Sequence, residues 1–329
     1  MDGINILELE RRIARHQFGR LFKTVELPAL PAAVANILDE LNSDEPDVGR
    51  LEQIIVAEPS ISLRVLRTVN SSLYALRAEV TTVRHAITLL GFRRISSVVL
   101  SYAMLEALPQ PGTELFKQEE FWTDNLLRAL LAKAIARRTR PGEEEEAFTA
   151  ALISDVAMPI LLQQMEEMYA PVITRWREEP VRLADIEREM HHWDHALLGA
   201  WILKEWRFPD RLVGLVGTHN SDAADIAALR MCDTPAAVVA TACALPSCMR
   251  RDPERCRAVI ERSRQDLDLP LVDWPGIWAE VAENFHAIYA QFNLSGDDAQ
   301  KTLLPLGQTI QQYGLELCVQ PPELEPQST

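Results

Sequence analysis

The sequence predicts an all-α protein made of two helical lobes, an N-terminal helical bundle and a second helical lobe, with a C-terminal helical extension. Apolar residues recur at the helical period along the chain, while the period-two alternation of half-buried strands is nearly absent. Proline- and glycine-bearing breaks punctuate the pattern at short intervals. A length of 329 residues exceeds the usual size of one core and favours two lobes sharing an interface.

The elements follow in order. Over Asp47–Ala57 the apolar set is Val48, Leu51, Ile54 and Ile55. Pro59 opens the next helix, at a first position whose N–H would be unpaired anyway, and Ile61, Val65, Leu66 and Val69 form its buried stripe. Asn70 ends that helix, where asparagine tolerates the left-handed conformation, and Tyr74 can lay its ring on the core. Thr81 is placed to cap the helix carrying Val83, Ala86, Ile87 and Leu90, and Gly91 follows as its left-handed terminator. His85, among apolar neighbours, reads as a packing residue. Leu108-Pro-Gln-Pro-Gly112 is a turn-rich linker that closes the first lobe.

Phe121–Arg138 carries Trp122, Leu126, Ala129, Leu130 and Ile135 on one side, with Arg128, Arg137 and Arg138 elsewhere. After the break at Arg140-Pro-Gly-Glu143, the acids Glu143–Glu146 suit a helix start and read as a solvated face. Beyond Leu269 lie two helices, near Asp273–Gln291 and Asp297–Leu317, and Ser295 with Asp298 resembles a capping box. The first of these aligns Trp274, Ile277, Trp278, Val281, Phe285, Ile288 and Tyr289 in one broad stripe. Burial against the chain's own second lobe is its default fate; as an alternative, Trp274, Trp278 and Phe285 would anchor a partner or a homodimer contact. The boundaries fall at 1–23 for a lead, 24–112, 113–268 and 269–319 for the structured parts, and 320–329 for a disordered tail.

Composition narrows the function classes. A net charge of −15 opposes general nucleic-acid binding, and Arg64, Arg67, Arg84, Arg93 and Arg94 read as a solvated rim. The odd set Cys232, Cys243, Cys248, Cys256 and Cys318 contains no C-x-x-C pair and fits reduced thiols. Met1–Arg12 lacks the apolar run of a signal peptide, and the longest uncharged stretches, Ile95–Leu105 and Thr234–Met249, are too short to span a bilayer. A cytoplasmic protein with no membrane contact is expected.

The chain carries an ordered set of segments: Leu27-Pro-Ala-Leu-Pro31, Glu58-Pro59, Val69-Asn-Ser-Ser-Leu-Tyr74 and Val83-Arg-His-Ala-Ile-Thr-Leu-Leu-Gly91. The set continues through Phe121-Trp122, Phe148–Asp155, His195–Trp201, Trp206 with Pro209, and His219. In this order and spacing it resembles the HDOD ("HD-related output domain") family, a degenerate branch of the HD phosphohydrolases, over roughly residues 24–245. The resemblance implies a bacterial signal-transduction module acting through other signalling proteins, with an HD-like second lobe.

The same resemblance locates a metal centre that has been dismantled. Active HD enzymes hold their metals with a histidine, a His-Asp doublet, further histidines and a closing aspartate, which together activate a water. Carried over, the first histidine falls at Asp124, the doublet at Ser154-Asp155, the next histidine at His195, and the adjacent pair at His219-Asn220. The closing aspartate belongs near Val238–Ala244, which contains no carboxylate. Asp124, Asp155, His195 and His219 survive as vestigial candidates. The expectation is no catalytic residue, no bound cofactor, and at most a weak divalent metal on those four. The competing reading is a divergent metal-dependent phosphohydrolase or nucleotide-binding protein using the same groups. His191 and His195 are four apart, but Asp194 is a good N-cap for a helix over His195–Trp201, and if it caps, His191 belongs to the preceding segment and leaves that face.

Overall fold

A computed structural model of the chain describes residues 6–16, 18–21, 27–43, 45–74, 76–248, 252–294 and 297–315. Helices connected by turns make up the architecture, and no strand occurs among the described residues. The expected all-α class is observed.

In the first lobe, helices Ala32–Leu41, Val48–Ala57, Pro59–Val69 and Val83–Leu90 pack around Phe92–Ala107. The expected stripes point inward: Leu51, Ile55, Ile61, Val65 and Val69 are buried. Local chemistry differs from expectation at three positions. The cap of Val83–Leu90 is Thr82, whose hydroxyl accepts the His85 N–H at 3.2 Å; Thr81 lies one residue too early. His85 is exposed rather than packed, because the buried side of that helix is taken by Val83, Ala86 and Ile87. Asn70 is not left-handed (φ −84°, ψ 0°). Its amide instead accepts the Val80 N–H at 2.7 Å and donates to the Val80 carbonyl at 2.8 Å, closing the 71–79 loop as a strand neighbour would. Gly91 has the expected positive φ of 88°.

The second lobe is organised around helix Gln118–Thr139, here called the central helix. Glu119 and Glu120 in its first turn and Arg137 and Arg138 in its last complement the helix dipole. Its middle is buried nearly all round, from Phe121 to Ala136, so it forms the axis of the lobe rather than a surface helix. Helices Glu144–Leu152, Ala236–Cys243 and Trp274–Ile288 pack directly against it.

The Glu143–Glu146 run proves to be a junction. Lys133, only 3% exposed, places its ammonium 2.7 Å from Glu145 and 4.4 Å above the Tyr74 ring, tying the first lobe to the central helix. Arg211 reaches Glu146 at 2.6 Å and Glu143 at 2.5 Å. Three of the acids that read as solvated, Glu143, Glu145 and Glu146, are held by cations from the preceding helix and from Arg211, which no local pattern reveals.

The extension is part of the core. Trp274, Trp278 and Phe285 are at most 1% exposed, lie within the chain along the central helix, and so are unavailable as contact anchors. Each indole N–H is satisfied, Trp274 by Ser263 Oγ at 3.1 Å and Trp278 by the Leu303 carbonyl at 2.9 Å. The extension then turns at Tyr289–Phe292 and reaches the first lobe. Arg64 donates to the Gln291 carbonyl, and the Phe292 ring lies 5.0 Å from Tyr102. Ser295, Cys318 and the segment 320–329 lie outside the described residues, so the capping box and the tail do too. Helix Ile6–Arg15 in the lead buries Leu9 and Ile13 against helices His195–Glu205 and Asp210–Gly217.

Candidate functional site

Three breaks in the second lobe bring the site together. The 153–156 turn after Glu144–Leu152 presents Ser154 and Asp155, and the 218–221 turn after Asp210–Gly217 presents His219 and Asn220. His195 is the first residue of its helix. Asp194 caps that helix by accepting the Leu197 N–H at 3.0 Å, and His192 at φ 64° ends the preceding one, so His191 and His195 share no helical face. Gly199 lies one turn past His195. A Cβ there would come within 3.3 Å of Val216 and 3.4 Å of Val156, so glycine lets this helix press against helix Asp210–Gly217 and the 153–156 turn.

Asp155, His195 and His219 converge in the buried interior. Asp155 Oδ1 is 3.5 Å from Nε2 of both histidines, and the two Nε2 atoms are 3.1 Å apart. Both rings are oriented from behind. His195 Nδ1 is 2.6 Å from Glu187, a fully buried carboxylate that also accepts the His195 backbone N–H at 2.9 Å and the Tyr169 hydroxyl at 2.5 Å. His219 Nδ1 donates to the Val216 carbonyl at 2.8 Å. With both Nδ1 hydrogens committed, both Nε2 lone pairs point inward, and two such nitrogens at 3.1 Å need a proton or a cation between them. Burial would lower the His195 pKa, but Glu187 and Asp155 outweigh it and push it up to about 10. The proton therefore resides on His195 near neutrality.

The other face of Asp155 carries a second positive charge. Arg128 Nη1 lies 2.6 Å from Asp155 Oδ2, while Nε and Nη2 donate to the Leu245 carbonyl at 3.3 and 3.2 Å. Burial opposes ionisation of Asp155, yet Arg128 and the two histidines hold its pKa well below the usual carboxylate range. Asp155 and Glu187 against Arg128 and protonated His195 make a set that sums to zero.

Of the four expected candidates, three meet. Asp124 lines the same cavity, but its Oδ1 accepts the Cys248 N–H at 2.7 Å, and burial raises its pKa. The group that the central helix sends to Asp155 is Arg128, one turn further on. Ser154 spends its hydroxyl on the Ala151 carbonyl at 3.0 Å. Sequence reasoning placed Arg128 off the apolar side; its position four residues after Asp124, on the same helical face, was the available signal. Glu187 and Arg182 left no signal, because neither belongs to a motif.

The donor set fits one cation and not two. Asp155, His195 and His219 can offer three inward atoms, with Glu187 and the Val216 carbonyl as the orienting partners typical of metal-bound imidazoles. A second metal would need the positions held by Ser154, Asp124 and Arg128, which are otherwise engaged. Such an ion, when bound, supplies Lewis acidity toward a water or a phosphoryl oxygen.

Beside this cluster opens a cavity of roughly 370 Å³. Its walls come from the central helix, helices Ala157–Gln164 and Glu166–Glu178, the 218–221 turn and helix Pro253–Leu267.

A helical lobe with an Asp-His-His remnant at these turns defines a protein of the HD-related type. The HDOD domain family matches residues 27–221, more than half of the chain, and the chain belongs to that family. Among solved structures, a Shewanella amazonensis SB2B protein provisionally described as a phosphohydrolase is similar at TM-score 0.64 and 23% identity, over 85% of this chain and 97% of that one. An HDOD domain protein of unknown function from Geobacter sulfurreducens is similar at TM-score 0.60 and 18% identity, over 92% and 99%. At these identities the likeness establishes the fold. The uncharacterized protein YuxH of Bacillus subtilis (strain 168) is 29% identical over 103 residues, which is 31% of this chain and 24% of YuxH; the match thus spans about a quarter of that relative's length.

Proposed function

We propose that this chain is a non-hydrolytic regulatory module of the HDOD family that works through contacts with other signalling proteins. One observation carries the reading: the Arg128 guanidinium stands 2.6 Å from Asp155, supplying internally the positive charge that a bridging metal supplies in an active HD centre. The lost doublet histidine and closing aspartate agree with it. Protein contact is the output that remains once chemistry is set aside. Exposed Val56, Leu63 and Leu89, on three neighbouring helices of the first lobe, offer apolar surface for it.

A second reading, a mononuclear metal site with residual phosphohydrolase activity, is favoured by the two histidines whose Nδ1 atoms are both tied from behind. One experiment separates them. Purified protein is incubated with cyclic dinucleotides and bis(p-nitrophenyl) phosphate in the presence of manganese, magnesium or iron, and its metal content is measured after chelator dialysis. The expected result is no turnover and a substoichiometric metal content. Turnover abolished by Asp155→Ala, or one metal per chain surviving chelator, would overturn the proposal.

A further inference from the structure

We infer that the cavity beside Asp155 is a receptor site for a small organic anion with an apolar or aromatic body, its charged end gripped by Arg182 and Arg262. The inference rests on the preceding reading only in that the site does not hydrolyse what it binds.

The charge requirement comes from two cations on one turn. Arg182 Nη2 donates to the Asn220 carbonyl at 3.3 Å and to its side-chain oxygen at 3.2 Å. No carboxylate lies within ion-pair distance of Arg182 among the described residues, and it is only partly exposed. Arg262 Nη2 donates to the carbonyl of the next residue, Ser221, at 2.6 Å. The two guanidiniums therefore flank the same turn and line the same cavity, with Asp266, 3.1 Å from Arg262, as the acid that pairs with either. Burial and the neighbouring cations Arg188 and Arg262 both disfavour the charge on Arg182. In a chain of net charge −15, two arginines with one acid between them leave this part of the lining positive, and the guanidinium fork suits a carboxylate or a phosphate equally.

The body of the ligand follows from the apolar part of the lining, to which Phe121, Met158, Leu162, Ile173 and Trp176 contribute. A volume of roughly 370 Å³ lies in the range of small-molecule pockets. Arg262 stands on helix Pro253–Leu267, beyond residue 221 where the family match ends, so half of the grip comes from outside the family domain.

The test is isothermal titration of the full chain with 3-phenylpropionate and phenyl phosphate as probes. 3-Phenylpropanol serves as the uncharged isostere, and inorganic phosphate as the head group alone. Both aromatic anions are expected to bind, with the alcohol and inorganic phosphate each weaker by about tenfold or more. Their order of affinity distinguishes a carboxylate from a phosphate ligand. Arg182→Gln and Arg262→Gln should each weaken the anions about tenfold while the thermal midpoint holds; should either variant unfold, Arg→Lys at the same position, which keeps the charge and loses the fork, takes its place. Equal binding of the alcohol, indifference to both arginine substitutions, or no heat with any probe at millimolar concentration would each overturn the inference and leave the non-hydrolytic reading standing. Release of phosphate from phenyl phosphate would do the reverse.

Discussion

Arg128 and Asp155 share a charge pair with little water around it, which makes the effect of losing one partner large and asymmetric. Arg128→Met leaves a buried carboxylate facing only the histidines and should cost about 3 kcal/mol in urea unfolding. The double replacement Arg128→Met with Asp155→Leu should recover much of that loss, because both desolvation penalties vanish together. A single-mutant cost below about 1 kcal/mol would show that water screens the pair and that Arg128 is not the internal cation. His195 gives a second residue-level expectation, for protein treated with chelator. Its folded pKa of about 10 lies above the ordinary 6.5, so the stabilisation from its proton is complete below about pH 6.5 and drains away as pH rises toward 10. Glu187→Gln should pull that loss to lower pH, visible in the His195 ring signals by NMR; an unmoved titration would remove Glu187 from the explanation. At this scale the sequence was legible where a motif existed. His195, His219 and Asp155 were identifiable as a set, whereas Arg128 was placed only off the apolar side of its helix and Glu187 was silent, because a buried charge is recognisable only through a partner that the fold brings from elsewhere.

Elements were easier to read than contacts. Helical periodicity found helices Val48–Ala57, Pro59–Val69 and Val83–Leu90 of the first lobe, the central helix and the extension, since each buries a stripe whose spacing is written locally; Ala32–Leu41 and Phe92–Ala107 went unread. The C-cap at Gly91 and the N-cap at Asp194 were equally local, and the Thr81 error was a slip of one residue between two adequate hydroxyls. The Glu143–Glu146 run failed for the opposite reason: Lys133 and Arg211 approach it through space. Helix Trp274–Ile288 yields the prediction at this scale. It covers the central helix with two tryptophans and a phenylalanine, so a chain truncated after Leu269 should be insoluble or lose its near-ultraviolet circular dichroism while keeping helical far-ultraviolet signal. A truncated chain with native near-ultraviolet signal would mean that the second lobe closes without the extension.

The molecule as a whole combines a strongly acidic surface balance with an interior site whose charges cancel and a cavity wall that is locally positive. Fold class was plain in the sequence because every helix agreed with it. The cavity was not, because it is assembled from eight separate stretches between Leu115 and Arg262 whose only common property is where they end up. The extension that spans both lobes also sets an order of events during synthesis. Residues through 268 leave the ribosome with the groove of the central helix still open, and helix Trp274–Ile288 trails the end of the central helix by well over a hundred residues. At the usual pace of translation this interval is on the order of ten seconds. Throughout it the nascent chain displays the apolar groove that Trp274, Trp278 and Phe285 will fill, which makes it a natural client for a chaperone until its own last helices arrive.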